Sequence, residues 1–593
     1  MHSQEKQVQL TLRAVIAGMF LGGLMSLSNL YVSLKTGWSI GVSITAGILA
    51  FAMFALFYQL RLTKRHFGML ENNAMQSVAS AAGYMTGGGT VAAIPALMML
   101  TGEPMPGFQM FVWITVIAFL GVIMAIPMKQ QMINVEGLRF PTGIAAAETL
   151  KALHGDGKEG KAKARLLMLG GLLGAFTAFF RDAHFNWMPF NIPEKIKLPS
   201  TWTMSGRPFS DYTLSFEGSF IMLGAGAIMG FRAAWSMLLG AFINYAIIAP
   251  RLYDAGIISS KLGYKNIVAW SVWFGSSMIL TSGLLAFAFQ WKTVVRAMKS
   301  VAQAFKPVAD KLNQKVDEIQ EVPMLWFFIG VAILGPIVIF CEWYFFNIKI
   351  WMGIISVFLG FFIAIVASRA TGETDTTPTG ALGKITQLSY GAMDPGNVTT
   401  NLMTANVTGG MGLHAADLLT DLKSGYLLKA DPRQQFWAQF FGVVAGSLFV
   451  VPAFRLLIPT AQDLGTDKWP APGAQTWKGV AEMLAKGFES IHPTAQWAIL
   501  IGGTLGIILV LLERYLPRYK KYLPSPTALG MAFTTPAFNT ISMFMGALIA
   551  LLIEKKNKEY AEKTIVPVSS GLIAGESLIG VLIAALVVMG LMD

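Results

Sequence analysis

Two stretches of this chain place polar side chains at spacings that could handle a small polar solute and a proton. In the first, Glu71, Asn72 and Asn73 are followed by Gln76, Ser77 and Ser80, so amides and hydroxyls recur every three or four residues along one helix face. Asn72, Asn73 and Gln76 could bind a substrate's amides and carboxylates, and Glu71 could exchange a proton. The same stripe could equally be polar glue between helices. The second stretch runs from Arg369 to Arg433. Glu373 and Asp375 open it, and Asn397, Thr399, Thr400, Asn401, Thr404, Asn406 and Thr408 follow, up to the pair Gly409-Gly410. Of these, Asn397, Asn401, Thr404, Asn406 and Thr408 are the candidate substrate ligands, with backbone groups freed at the glycine pair adding to them. Asp375 is a candidate proton carrier. His414 and Asp417, three apart on an expected helix, form a pair that could relay a proton near neutral pH or could be a satisfied cap, with Asp421 beyond. Glu576, within GLIAGESLIGVL, is the most isolated carboxylate of the C-terminal region and a further coupling candidate, the alternative being an interfacial Glu at a helix start.

Those residues need elements to hold them. With 54% hydrophobic and 13% charged residues and a mean hydropathy of +0.55, the chain has more apolar surface than one soluble core would bury, so an all-α polytopic membrane protein is expected. Apolar runs of spanning length predict about 14 to 16 transmembrane segments, some broken or re-entrant. The 73–100 run is interrupted by Gly87-Gly88-Gly89 and Pro95, and 371–420 reads as two short helices or a re-entrant hairpin. An ionisable group inside such a segment costs about 2.5–3.5 kcal/mol, so it calls for a partner, a cavity or a function. Small-residue steps such as Gly442/Gly446 and Gly170/Gly174 fit close helix packing.

The whole chain, 1–593, reads as a single transmembrane domain. Residues 1–323 form an N-terminal half that ends in a long basic loop at 290–322, and 324–593 form a C-terminal half that contains the polar re-entrant region 371–433. Short echoes, among them Phe140-Pro141-Thr142 with Ser525-Pro526-Thr527, point to internal duplication. Five basic loops fall on one side if the N-terminus is cytoplasmic, which predicts a multi-pass protein of the cell membrane, in a bacterium the inner membrane. The 460–492 loop then lies outside, and its WKGVAEMLAKGF stretch is suited to the membrane interface.

Several function classes are disfavoured. The net charge of +12 sits in short loops between apolar runs, the positive-inside pattern, so no nucleic-acid partner is expected. The one cysteine, Cys341, excludes an internal disulfide. No phosphate-binding Gly-rich loop ending in Lys-Ser or Lys-Thr and no His-Glu-x-x-His helix occur, so neither an ATP-driven motor nor a fixed metal site is indicated. An intramembrane enzyme using His414 and Asp417 is the alternative from another class, but no nucleophile motif supports it, and no enzymatic activity is expected.

Colinear segments carry a family resemblance. NLYVSLKTGW (29–38), ENNAMQSVASAAG (71–83), GLRFPTGIAAAETLKALH (137–154), MGFRAAWSMLLGAFINYAIIAP (229–250), NLMTANVTGG and AADLLTDLKSGYLLKADPRQQF within 380–436, YLPSPTALGMAF (522–533) and GLIAGESLIGVL (571–582) span nearly the whole chain. The chain resembles the oligopeptide transporter family, which includes the yellow-stripe-like carriers, and looks more similar to its prokaryotic members, and by analogy to the metal-chelate branch, than to the yeast-like peptide carriers. The resemblance implies a proton-coupled importer driven by the proton gradient, with no cofactor and with protons, the lipid bilayer and a short peptide or a metal chelate as partners; a homodimer stays open. The Asn-Pro-Gly motif of the eukaryotic peptide branch is absent, its nearest trace being Asp394-Pro395-Gly396.

Overall fold

The computed structural model describes residues 9–589 apart from 38, 40, 88, 155–157, 184–187, 189, 259–261, 290, 291, 293–320, 375, 376, 378 and 488–491. Asp375 and most of the basic 290–322 loop lie outside the described residues. Eleven described helices are long and apolar enough to cross a membrane. In lipid only a helix or a closed barrel satisfies its own backbone, and the described candidate spans of this chain are helices. Strand among the described residues is confined to two short antiparallel ladders, Lys195–Lys197 with Ser215–Glu217 and Thr203–Met204 with Arg207–Pro208. The chain is an all-α, multi-pass membrane protein.

The bundle includes, in chain order, α1 (Leu12–Thr36), α2 (Ser43–Gln59), α3 (Met69–Tyr84), α4 (Ala93–Thr101), α5 (Gly107–Met124), α6 (Pro141–His154), α7 (Lys158–Asp182), α8 (Phe220–Met229), α9 (Tyr264–Ala288), α10 (Met324–Phe346), α11 (Ile350–Thr374), α12 (Thr379–Met393), α13 (Val398–Leu428), α14 (Pro432–Leu457), α15 (Pro472–Lys486) and α16 (Lys558–Val588). The expected interruption of the 73–100 run is present, since α3 stops at Tyr84 and α4 starts at Ala93. Gly89 explains part of it. Its φ is +144°, and a Cβ there would lie 2.8 Å from the amide of Asn406 on α13, so only glycine fits. Pro95 does not break the chain, because it falls in the first turn of α4, where its missing N–H has no helical partner to lose.

The polar region is a pair of helices joined by a tight turn. After α12, the turn Asp394-Pro395-Gly396-Asn397 reverses the chain into α13, where the Asn397 side chain accepts from the backbone N–H of Thr400 at 3.0 Å. α13 then runs unbroken for 31 residues to Lys429, which closes it in the left-handed region. Gly409-Gly410 therefore free no backbone groups. Each glycine costs a helix about 1 kcal/mol relative to alanine, and the ladder survives because α13 is enclosed on its length by α3, α5, α11 and α12. α15 packs against α4, α9, α12 and α13 and buries Ala474, Thr476, Val480 and Ala481.

α14 brings its own polar turn against α3 because Gly442 lets the backbones touch, a Cβ there lying 2.2 Å from the Val78 carbonyl oxygen. That approach sets the depth at which α3, α13 and α14 meet.

Candidate functional site

Where these three helices meet α2, their polar faces merge into one buried cluster. On α13, Asp417 and Asp421 lie one turn apart on the same face, 6% and 0% exposed. Ser80 of α3 donates to Asp417 Oδ1 at 2.8 Å, and Ser43 of α2 donates to Ser80 Oγ at 2.9 Å. The Gln439 amide of α14 bridges the carboxylates, with Nε2 2.8 Å from Asp421 Oδ2 and 3.4 Å from Asp417 Oδ2. Gln435, one turn earlier, donates to the Asp421 backbone oxygen at 2.9 Å and to Ser77 Oγ at 3.2 Å. Asn73 donates to Ser424 Oγ at 2.8 Å, and Asn72 reaches the Gly47 oxygen at 3.1 Å and His154 Nε2 of α6 at 3.2 Å. A polar seam thus runs from His154 to Asp417 through the interior. Among the described residues no salt bridge reaches either carboxylate, and Lys423, two residues on, places its ammonium over the Tyr426 ring at 5.7 Å. A buried carboxylate without a cation must take up a proton or find another positive partner, which is the chemistry of an ion-coupling site.

The other sequence candidates divide. Glu71 is not free for exchange within the seam, because it sits in the first turn of α3 with Oε1 2.6 Å from Arg13 Nε and Oε2 2.5 Å from Arg13 Nη2, and Thr11 donates to it as well. His414 and Asp417 share a helix but form no hydrogen bond, and both ring nitrogens of the buried His414 lack a partner. Glu576 is buried, not isolated. It pairs with Arg181 of α7, accepts from Ser219 Oγ at 2.6 Å and caps α8 through the backbone N–H groups of Phe220 and Ile221 at 2.8 and 3.0 Å. The α8 N-terminus supplies the partial positive charge that a lone carboxylate lacks. Asn397 is exposed at the α13 cap and lies away from the interior.

Asn401, Thr404, Asn406 and Thr408 are buried on α13 and answered by neighbours. Asn401 Nδ2 donates to the Gln387 backbone oxygen of α12 at 2.5 Å and its Oδ1 accepts from Gln387 Nε2 at 3.0 Å, Trp113 Nε1 donates to Asn406 Oδ1 at 2.7 Å, and Thr408 meets Thr386 at 2.7 Å. Thr404 bonds back to the Thr400 oxygen at 2.7 Å. Asn406 borders the α3–α4 interruption, where Gly89 passes against its amide.

Several contributors escaped sequence reasoning. Gln435 and Gln439 sit in an otherwise apolar run, and their i, i+4 spacing was the available signal. Ser43 carried none. Lys35 and Glu217, 182 positions apart, pair in the interior at 3.4 Å, and Glu342 of α10 is fully buried against Ser356 of α11 at 2.8 and 2.9 Å. Arg232 pairs with Glu513, a carboxylate from another segment, rather than with Glu217.

Comparison with known proteins identifies the family. The model of the family described as OPT oligopeptide transporter protein matches residues 9–587. Similar proteins include one from Saccharomyces cerevisiae named as a putative oligopeptide transporter, 26% identical over 97% of this chain and 95% of its own. A second is the iron-phytosiderophore transporter yellow stripe 1 of Zea mays, 26% identical over 97% of this chain and 90% of its own. A third, from Haemophilus influenzae and named like the yeast protein, is 25% identical over 94% of this chain and 92% of its own. A match that takes in α1 to α16, the interrupted α3–α4 segment and the carboxylate-bearing α13 leaves one conclusion: this chain belongs to the oligopeptide transporter family.

Proposed function

We propose that the protein is a proton-coupled secondary active importer of short oligopeptides or peptide-like compounds, working by alternating access. The observation that carries this reading is the Asp417–Asp421 pair, buried without a salt-bridged cation and wired by Ser80 and Gln439 to helices on both sides. Two carboxylates this close disfavour joint ionisation, so binding and releasing a proton changes how α3, α13 and α14 hold together. Solute would be taken where the α3–α4 interruption faces α13, with Asn72, Asn73, Gln76, Asn401, Asn406 and Thr408 bordering the route. Glu71 and Glu576 act in this reading as ion-paired anchors. The protein resides in the cell membrane, in a bacterium the inner one, with a cytoplasmic N-terminus, and no cofactor or enzymatic step is involved.

A second reading, uptake of metal chelates, is favoured by the name of the maize relative, an iron-phytosiderophore transporter. Uptake into proteoliposomes separates the two. Di- to tetrapeptides, glutathione and ferric chelates are offered with and without an inward proton gradient. Peptide accumulation that a protonophore abolishes is the expected result; accumulation of the chelate alone would favour the second reading, and none under any gradient would refute coupling. Size measurement of the reconstituted protein would test for a homodimer.

A further inference from the structure

The amides around the carboxylate pair are arranged asymmetrically. Asn72, Asn73, Gln435 and Gln439 each donate through nitrogen, to Gly47 O, Ser424 Oγ, Asp421 O and the Asp421 carboxylate respectively. Each leaves its amide oxygen buried with no donor, and Gln76, 0% exposed in the middle of the same face, has neither side-chain atom paired. The orientations are not interchangeable: turning Gln439 over would set its carbonyl against two carboxylates, and turning Gln435 over would oppose it to the Asp421 backbone oxygen. What remains unanswered at this level of the bundle is therefore mainly oxygen: four amide carbonyls and that of Gln76, beside two carboxylates. The described residues hold no cluster of three or more His, Cys, Asp or Glu, so the donor set is one of hard oxygens rather than of transition-metal ligands.

Buried oxygens of this kind repel one another unless hydrogen-bond donors or a cation offset them. The nearby positive groups are committed elsewhere, Arg13 to Glu71 and Lys423 to the face of Tyr426. If one proton is held by the carboxylate pair, as the proposed function has it, one negative charge is left over. We propose that this seam is a binding site for a dehydrated monovalent cation, Na+, bound in addition to the proton and coordinated by the Asp421 carboxylate together with amide oxygens of Gln76, Asn73 and Gln439. Because the Na+ gradient points into cells, occupancy here would add a second ion to the driving force.

This inference rests on the coupling role given to the carboxylates, so its test uses neither substrate nor gradient. Detergent-purified protein is melted in increasing NaCl against choline chloride at matched ionic strength, and binding of radioactive 22Na+ is measured in parallel. The expected result is a saturable rise in melting temperature with Na+ alone, together with saturable 22Na+ binding, both lost in Asp421→Asn and in Gln76→Leu. Superposable Na+ and choline curves in the unmodified protein would overturn the inference and leave the oxygens merely hydrated, as would retention of the Na+ effect in both variants. Because the unmodified protein decides the matter, a variant that fails to fold does not rescue the idea. Proton-driven uptake without any Na+ effect would sink this inference alone, whereas Na+ binding without proton-driven uptake would sink the coupling reading.

Discussion

Replacing the partners of Glu576 one at a time distinguishes an anchor from a proton carrier. The Glu576 side chain is 0% and that of Arg181 3% exposed, so neither charge is relieved by solvent. In Arg181→Met the carboxylate keeps only the neutral donors Ser219 Oγ, Phe220 N and Ile221 N, and an unpaired buried charge costs about 3–5 kcal/mol. In Glu576→Gln, by contrast, Arg181 retains Asp182 at 2.6 and 2.7 Å and the Gly218 oxygen at 3.2 Å, so its charge stays matched. What is lost is the anionic acceptor at the α8 cap, where the new amide turns a donor toward donors, a cost of about 1–3 kcal/mol. The expected order of melting temperatures in detergent is therefore unmodified protein, then Glu576→Gln, then Arg181→Met, and proton-driven uptake should fall only as far as the amount of folded protein falls. Normal melting of Glu576→Gln together with lost driven uptake and intact counterflow would refute this reasoning and return Glu576 to the coupling role.

Asp417→Asn and Asp421→Asn should each abolish accumulation while sparing counterflow. One proton across 100 mV is worth about 2.3 kcal/mol, close to a fiftyfold concentration ratio, and labelled-substrate ratios that persist in both variants would remove the pair from coupling. Asn401→Ala leaves the Gln387 amide only the Trp477 oxygen as acceptor, and Asn406→Ala strands the Trp113 N–H, the latter costing about 1–3 kcal/mol. Both should also raise the half-saturation concentration for uptake, and unchanged values would place binding elsewhere. Gly442→Leu forces a side chain into the Val78 backbone and should cost about 1–3 kcal/mol or more. A monodisperse chromatographic profile with normal melting would show that the α3–α14 approach is not close.

The class of the protein was legible from composition and pattern, because apolar residues at this density point to lipid, and continuous apolar runs of spanning length point to helices rather than to the alternating strands of a barrel. The α3–α4 interruption was legible too, since three consecutive glycines remove side-chain packing and helix propensity together. Asp417 and the Asn72-Asn73-Gln76 stripe could be named because helical spacing is a local property. Their partners could not be named. Whether a polar residue inside a bundle faces an open route, an amide or a guanidinium depends on helices hundreds of positions away. Glu576 looked isolated because Arg181 is 395 residues distant, and the partner of Asp421 was hidden because Gln439 reaches it only after α14 docks on α3. Gly409-Gly410 looked like a break because propensity is counted along the chain, whereas the packing that keeps α13 helical comes from its neighbours. The sequence by itself determined which residues would be costly in lipid, and the tertiary structure alone decided which of them are matched, since burial and pairing of charge are relations in space rather than along the chain.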